Sequence, residues 1–367
     1  MTGSLILKNV RMLDGNSVDI ILENGVINEI TLPGTATGAE MIDYEDKVFV
    51  SSGWIDMHVH AFPEFEPYGD DVDEIGYKTG VTTVIDAGST GADQISDLVN
   101  SCKNSKTNVF AFLNISRIGL KRIDELSDIS WLNEEEVKNA FSQYGDFIVG
   151  LKARISKSVV GPNGVEPLKI ARMFSSDTGL PLMVHIGSGP PDIKEVLELL
   201  EEKDIITHYL NGKANNLFDQ AGEPLPELTK AIERGVHLDV GHGTASFSFP
   251  TAENARKKEV RFNTISTDIY RRNRENGPVF NMANVLTKFL YLGYPLKEVI
   301  DAVTVNAAAW LHKPELGRIS VGDLANLTLF SIEDETTVLL DSDGEERTAE
   351  KRIVAKGVVI NGEFFEC

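Results

Sequence analysis

Eight short apolar runs, most of them separated by helical stretches, constrain this chain more than any other feature. They occupy 55–60, 81–86, 109–114, 147–152, 181–185, 205–208, 236–240 and 263–268. Stretches 192–202 and 226–234 between them show helical spacing. Alternating β and α patterns over roughly 200 residues favour parallel strands joined by crossover helices. Eight such units fit a (β/α)8 TIM barrel of the α/β class. A doubly wound open sheet has less support, because no Gly-x-Gly-x-x-Gly loop follows the first run.

Polar side chains gather at the ends of the runs. His58 and His60 end the first, Lys152 the fourth, His185 the fifth, His208 the sixth and Asp268 the eighth. In a barrel the C-terminal strand ends converge on one face, which holds the active site. Alternate residues of a strand share a face. Asp56, His58 and His60 therefore point one way, and Ile55, Met57 and Val59 the other. Two imidazoles fixed side by side suit a transition metal, and Asp56 could steady them. A His-x-His pair alone is a weak motif and reads more readily as two polar residues at a strand end.

Lys152 follows largely apolar residues and is expected to be buried. A buried, unpaired ammonium costs several kcal/mol. It must pair with a carboxylate, such as Asp268, or change chemically. Carbamylation by carbon dioxide would make it an anionic bridge between two metals. Neutralising the amine at pH 7 first costs about 4–5 kcal/mol, which two dications could offset. His237 and His312 read as structural or surface residues. His242, within Gly241-His242-Gly243, reads equally as a substrate contact or a loop residue.

Both ends of the chain read as short strands. Residues 3–50 carry apolar runs at 5–7, 18–22 and 47–50, with turn signals at 14–16 and 23–25. Runs at 325–330, 337–340, 352–355 and, after another turn, 358–360 mirror them. Neither end is long enough to bury a core alone. The expected division is an accessory β-sandwich from 1–52 plus 314–367, and a barrel over 53–313.

Charge narrows the partners. With 35 Lys and Arg against 56 Asp and Glu, the formal net charge is −21. That disfavours nucleic acid and anionic membranes, and favours a cytoplasmic location. The N-terminus lacks a signal segment, and no apolar run approaches the roughly 20 residues of a membrane span. Cys102 and Cys367 are expected to be ordinary reduced thiols.

Taken together, the order His-x-His, Lys, His, His and Asp over the first, fourth, fifth, sixth and eighth runs resembles the amidohydrolase superfamily of metal-dependent hydrolases. The stretches 50–60 and 317–327 resemble it too, and the resemblance spans essentially the whole chain. It implies a binuclear site with zinc as the expected metal. His58, His60 and Asp268 would hold one ion, and His185 and His208 the other. N6-carboxylysine at Lys152 would bridge them. Manganese, cobalt and iron also accept such ligands. Within the superfamily the chain is similar to a dihydroorotase-like subgroup, whose members are named deacetylases, D-aminoacylase-like hydrolases or adenine deaminases. The motifs carrying that likeness lie at 86–91, 150–154, 184–187, 208–213, 239–243 and 266–270.

The resemblance implies hydrolysis of an amide or ester bond in a small acylated acid, an N-acyl amino acid or O-acyl hydroxy acid. A hydroxide shared by two metals would attack, and Asp268 would act as general base and then acid. Arg154, expected on the face of Lys152, is a candidate to bind a substrate carboxylate bidentately. A salt bridge within the protein is its other reading. Asn211, His242 and Tyr270 are further candidate substrate contacts, and loop 61–73 is expected to cover the pocket. Adenine-type deamination and dihydroorotase-type cyclic amide hydrolysis are alternatives. A non-catalytic metal-binding scaffold is a third, disfavoured because no ligand is missing. Assembly into a homo-oligomer is also compatible with the fold, although no interface is legible.

Overall fold

A computed structural model of the protein describes residues 4–38 and 40–367. The first three residues of the expected accessory segment, and Ala39 within it, lie outside the described residues.

Seven strands form one parallel sheet whose spatial order follows the chain. They are Trp54–Val59, Val81–Ala87, Asn108–Asn114, Ile148–Ile155, Leu182–Ile186, Ile205–Thr207 and His237–Asp239. The first two are buried along their whole length. Burial on both faces is what crossover helices impose on parallel strands. The eighth apolar run forms no regular strand, but it bridges both edges of this sheet. Thr264 pairs with Asp239 and Ile269 with Val59, both in parallel. Asp268 N donates to His58 O at 2.7 Å, and His60 N to Ile269 O at 2.9 Å.

Local chemistry explains the crossover helices. Helix Glu134–Tyr144 starts at Asn133, whose side chain accepts from Glu136 N, and carries three glutamates in its first turn. Both features satisfy the exposed N–H groups and the positive end of the helix dipole. Helix Glu166–Thr178 has a proline in its first turn and stops at Gly179, at φ 72°, whose N–H returns to Ser175 O. The stretch expected helical over 192–202 holds only Ile193–Glu198. Beyond it, Asp204 accepts from Glu201 N and turns the chain into the next strand.

The two chain ends meet in a single mixed sheet. Its order is Glu363–Glu366, Arg352–Ile360, Leu327–Glu333, Phe49–Ser52, Ser4–Arg11, Ser17–Glu23 and Val26–Thr31, with Met41–Asp43 beside Ser4–Arg11. Leu327–Glu333 lies antiparallel to Phe49–Ser52, just before the chain enters the parallel sheet. Leu5, Leu7, Ile20, Val50, Leu327 and Val359 share an apolar cluster of their own.

Two C-terminal expectations change. The runs at 352–355 and 358–360 are one strand. Its partner register skips between Leu329 and Phe330, so Gly357 marks a bulge instead of a turn. The run at 337–340 is not in the mixed sheet. It forms a hairpin with Glu346–Ala349. Leu339 and Ala349 pack into the apolar cluster around the parallel sheet.

Candidate active site

The six expected polar residues come together. Asp268 Oδ1 lies 3.3 Å from His58 Nε2 and 3.2 Å from His60 Nε2. Its Oδ2 is 4.0 Å from His208 Nε2. The His185 and His208 rings are 4.4 Å apart and nearly perpendicular. Lys152 Nζ sits 3.2 Å from His58 Nε2, fully buried. His208 and Asp268 both hold positive φ, at 71° and 51°. Such strain in non-glycine residues persists where surrounding contacts enforce it. Gly243 leaves the room that Asp268 needs, since a Cβ there would overlap its carboxylate.

Hydrogen bonds behind the imidazoles set their tautomers. Thr207 Oγ1 donates to Asp239 Oδ2 at 2.8 Å and so accepts from His58 Nδ1 at 2.9 Å. His208 Nδ1 donates to Gly241 O at 2.5 Å. In both rings Nε2 is left with a lone pair facing the cluster. Ser89 Oγ pairs with His60 Nδ1 at 2.9 Å.

Those lone pairs test whether the residues suit a metal. His58 Nε2 and Asp268 Oδ1 are two acceptors 3.3 Å apart, and His208 Nε2 is buried with no hydrogen-bond partner. A cation between them resolves both conflicts, and His58, His60 and Asp268 offer ligand atoms close enough to share one. Burial pushes His58 and His185 well below the usual imidazole range, and His208 to about 3. Neutral imidazole is the ligating form. Burial also lowers Lys152 to about 7, against the pull of Asp268. Among the described residues no carboxylate lies within ion-pair distance of Lys152. Burial raises Asp268, but the His60 hydrogen bond and nearby cationic groups outweigh it and hold the carboxyl below its ordinary value.

Asp56 plays a supporting part. It accepts from Thr267 N at 3.0 Å and from Thr267 Oγ1, fixing the segment that carries Asp268. Burial lifts it to about 7 despite those bonds. The strict alternation expected over 55–60 does not hold. Ile55 and Met57 pack in one cluster and Val59 in another, across a register shift.

A cavity of about 290 Å³ opens over His58, His60, His185 and Asp268. A larger groove of about 720 Å³, around Arg256, Tyr291 and Tyr294, holds none of these residues. Of the expected substrate contacts, the structure brings Arg154 and Tyr270 to the cavity wall, but not Asn211 or His242. Arg154 does share the strand of Lys152, yet Glu125 takes it bidentately at 2.6 Å from both Nε and Nη2. Tyr270 OH bonds Thr244 Oγ1 at 2.7 Å. Asn211 is buried and folds its own loop, donating to His208 O and accepting from Lys213 N. His242 is buried, stacked on Phe247 and bonded by Lys288.

Four residues at or behind the site were not singled out from the sequence. Tyr68, on loop 61–73, reaches the cavity, its ring 6.0 Å from His60 and 5.2 Å from Tyr270. Asp70 anchors that loop by accepting from Arg274 Nε at 2.7 Å. Lys213 also lines the cavity. Its place in the 208–213 motif was the available signal. Glu125, buried outside any recognisable motif, gave none.

Comparison with known proteins identifies the family. The model of the amidohydrolase family matches residues 49–364. A protein of Enterococcus faecalis named a deacetylase is 41% identical, over 100% of both chains. A solved structure described as an adenine deaminase superposes with a TM-score of 0.95 at 41% identity, over 99% of both chains. Another, described as a dihydroorotase, gives 0.92 at 31% identity, also over 99% of both.

Proposed function

The chain belongs to the amidohydrolase family, metal-dependent hydrolases of carbon–nitrogen bonds, and from that premise we propose that it cleaves the amide or ester bond of a small acylated acid. The observation that carries the proposal is the convergence of His58, His60, His185, His208 and Asp268 around Lys152, beside one small cavity.

In this reading His58, His60 and Asp268 would hold one divalent ion, and His185 and His208 a second. Lys152 would become a further anionic ligand of the site once its neutral amine had added to carbon dioxide and released a proton. Zinc is the proposed metal. When bound, such ions polarise a carbonyl and bring the pKa of water from about 15.7 to about 7. Asp268, on the cavity wall, accepts the proton of the attacking water and returns it to the leaving nitrogen or oxygen. Thr207, Ser89 and Gly241 keep three imidazoles oriented while this happens. Tyr68 and Tyr270 wall the cavity against bulk water.

The same proposal includes the architecture. Residues 263–269 act as the eighth strand of a closed (β/α)8 barrel over 53–313, and 1–52 with 314–367 form the accessory β-domain. Among the described residues no helix is long and apolar enough to cross a membrane. We place the enzyme in the cytoplasm, as an assembly of identical chains. Light scattering of the metal-loaded protein tests the assembly.

Deamination is the second reading, since one 41% identical structure is described as an adenine deaminase. Lys213, a cationic side chain at the cavity with no carboxylate within ion-pair distance among the described residues, favours an anionic substrate over a neutral purine. The deciding experiment supplies metal-loaded enzyme, in bicarbonate, with N-acetyl amino acids, O-acetyl hydroxy acids and adenine. Acetate release without ammonia supports the proposal. Ammonia from adenine replaces it with deamination.

A further inference from the structure

The cavity presents two cations in different states. Arg154 already has a counter-ion, because buried Glu125 occupies its Nε and Nη2. Lys213 has none. Among the described residues its ammonium makes no hydrogen bond and lies within 4 Å of no carboxylate, yet it lines the cavity. Burial lowers its pKa, with Asp268 and Asp343 pulling the other way from a distance.

Its position is built, not incidental. Asn211 Nδ2 donates to His208 O at 2.9 Å and its Oδ1 accepts from Lys213 N at 3.0 Å. That turn ties the Lys213 backbone to a residue of the histidine cluster. Across the cavity wall, Gly187 keeps space open. A Cβ on Gly187 would lie 3.4 Å from Lys213 Nζ and 3.5 Å from His185 Nε2. The ammonium and the imidazole therefore flank one small volume, which a side chain at 187 would fill.

We propose that Lys213 receives the carboxylate of the substrate beside His185, and that Arg154 serves instead to shape the wall through Glu125. This inference rests on the acylated-acid reading and deepens it. The substrate class becomes acids whose free carboxylate lies close to the scissile acyl group, and neutral amides or esters of the same acids are excluded. A partly buried ammonium without a partner gains more from a carboxylate than from a carboxamide.

The test compares N-acetylalanine, both enantiomers, with its C-terminal amide. Wild type, Lys213→Met and Lys213→Arg are used, all metal-loaded and with metal content measured. Calorimetric binding and acetate release are read separately. The expected result is that wild type prefers the acid, and that Lys213→Met loses about 10- to 100-fold of that preference. The loss falls in affinity and KM more than in kcat, at unchanged metal content, and Lys213→Arg keeps part of it. Acid-selective binding that depends on Lys213, without turnover, would support this site and remove the acylase reading. Turnover whose acid preference survives in Lys213→Met would keep the acylase reading and overturn this one. A wild type without acid preference, or with no binding at millimolar ligand, would also overturn it.

Discussion

Lys288 Nζ lies 2.7 Å from His242 Nε2, and both side chains are buried. His242 Nδ1 donates to Gly243 O, so Nε2 is the acceptor. The ammonium also donates to Pro278 O at 2.9 Å and Leu340 O at 2.7 Å. One lysine thus joins the Gly241–Gly243 loop, the turn at 278 and the C-terminal hairpin. Burial lowers it to about 7, while Asp341 pulls upward. The facing titratable groups are His242 and Asp341.

This lysine makes stability depend on pH. Its folded pKa is below the unfolded value, about 10.4. Between the two, the unfolded chain binds a proton that the native chain does not. Stability should therefore rise with pH from about 7 to about 10, by up to about 1.4 kcal/mol per unit. Below that window the full penalty of charging Lys288 applies. Lys288→Met removes this slope while leaving three acceptors unpaired. Guanidinium unfolding of both proteins at pH 7 and 9 measures it, and equal slopes would sink the assignment.

Glu125 neutralises a buried guanidinium. Breaking such a pair by removing one partner costs about 3–5 kcal/mol. Glu125→Gln should lower the thermal midpoint sharply, and Glu125→Gln with Arg154→Met should recover much of the loss. A double variant no more stable than the single one would show that the pair is not the source.

Asp268→Asn keeps a ligand oxygen but loses the proton acceptor. Metal content should hold while kcat falls by about 100- to 10,000-fold. Elemental analysis beside steady-state kinetics decides it. Near-normal kcat would take Asp268 out of proton transfer.

Lys152→Ala should lose metal and activity together, and depleting carbon dioxide from the wild type during metal loading should mimic it. If the variant retains two metals per chain, Lys152 is not a bridge.

The strand-end residues were legible because a barrel maps a one-dimensional rule onto space. His58, Lys152, His185, His208 and Asp268 each ended an apolar run, and such ends converge. Backbone-supported positions such as these need no knowledge of neighbouring loops. Arg154 shows the limit. Its strand and face followed from the pattern, but its partner Glu125 lies in a loop whose path no local pattern encodes. The partner of His242 was hidden for a similar reason, since Lys288 reaches it from a helix 46 residues on. Gly357 was read as a turn because a bulge and a turn call for the same residue.

The hairpin at 337–349 bears on how this protein can be cut or rebuilt. Leu340 O holds Lys288, and Ser342 Oγ donates to Gly243 O at 3.0 Å, next to Asp268. A fragment ending at 313 would contain every proposed metal ligand and still lack the clasp on the loop beside Asp268. The segment after 313 is therefore not a detachable module, and chimaeras that exchange it must carry the hairpin with the parallel sheet.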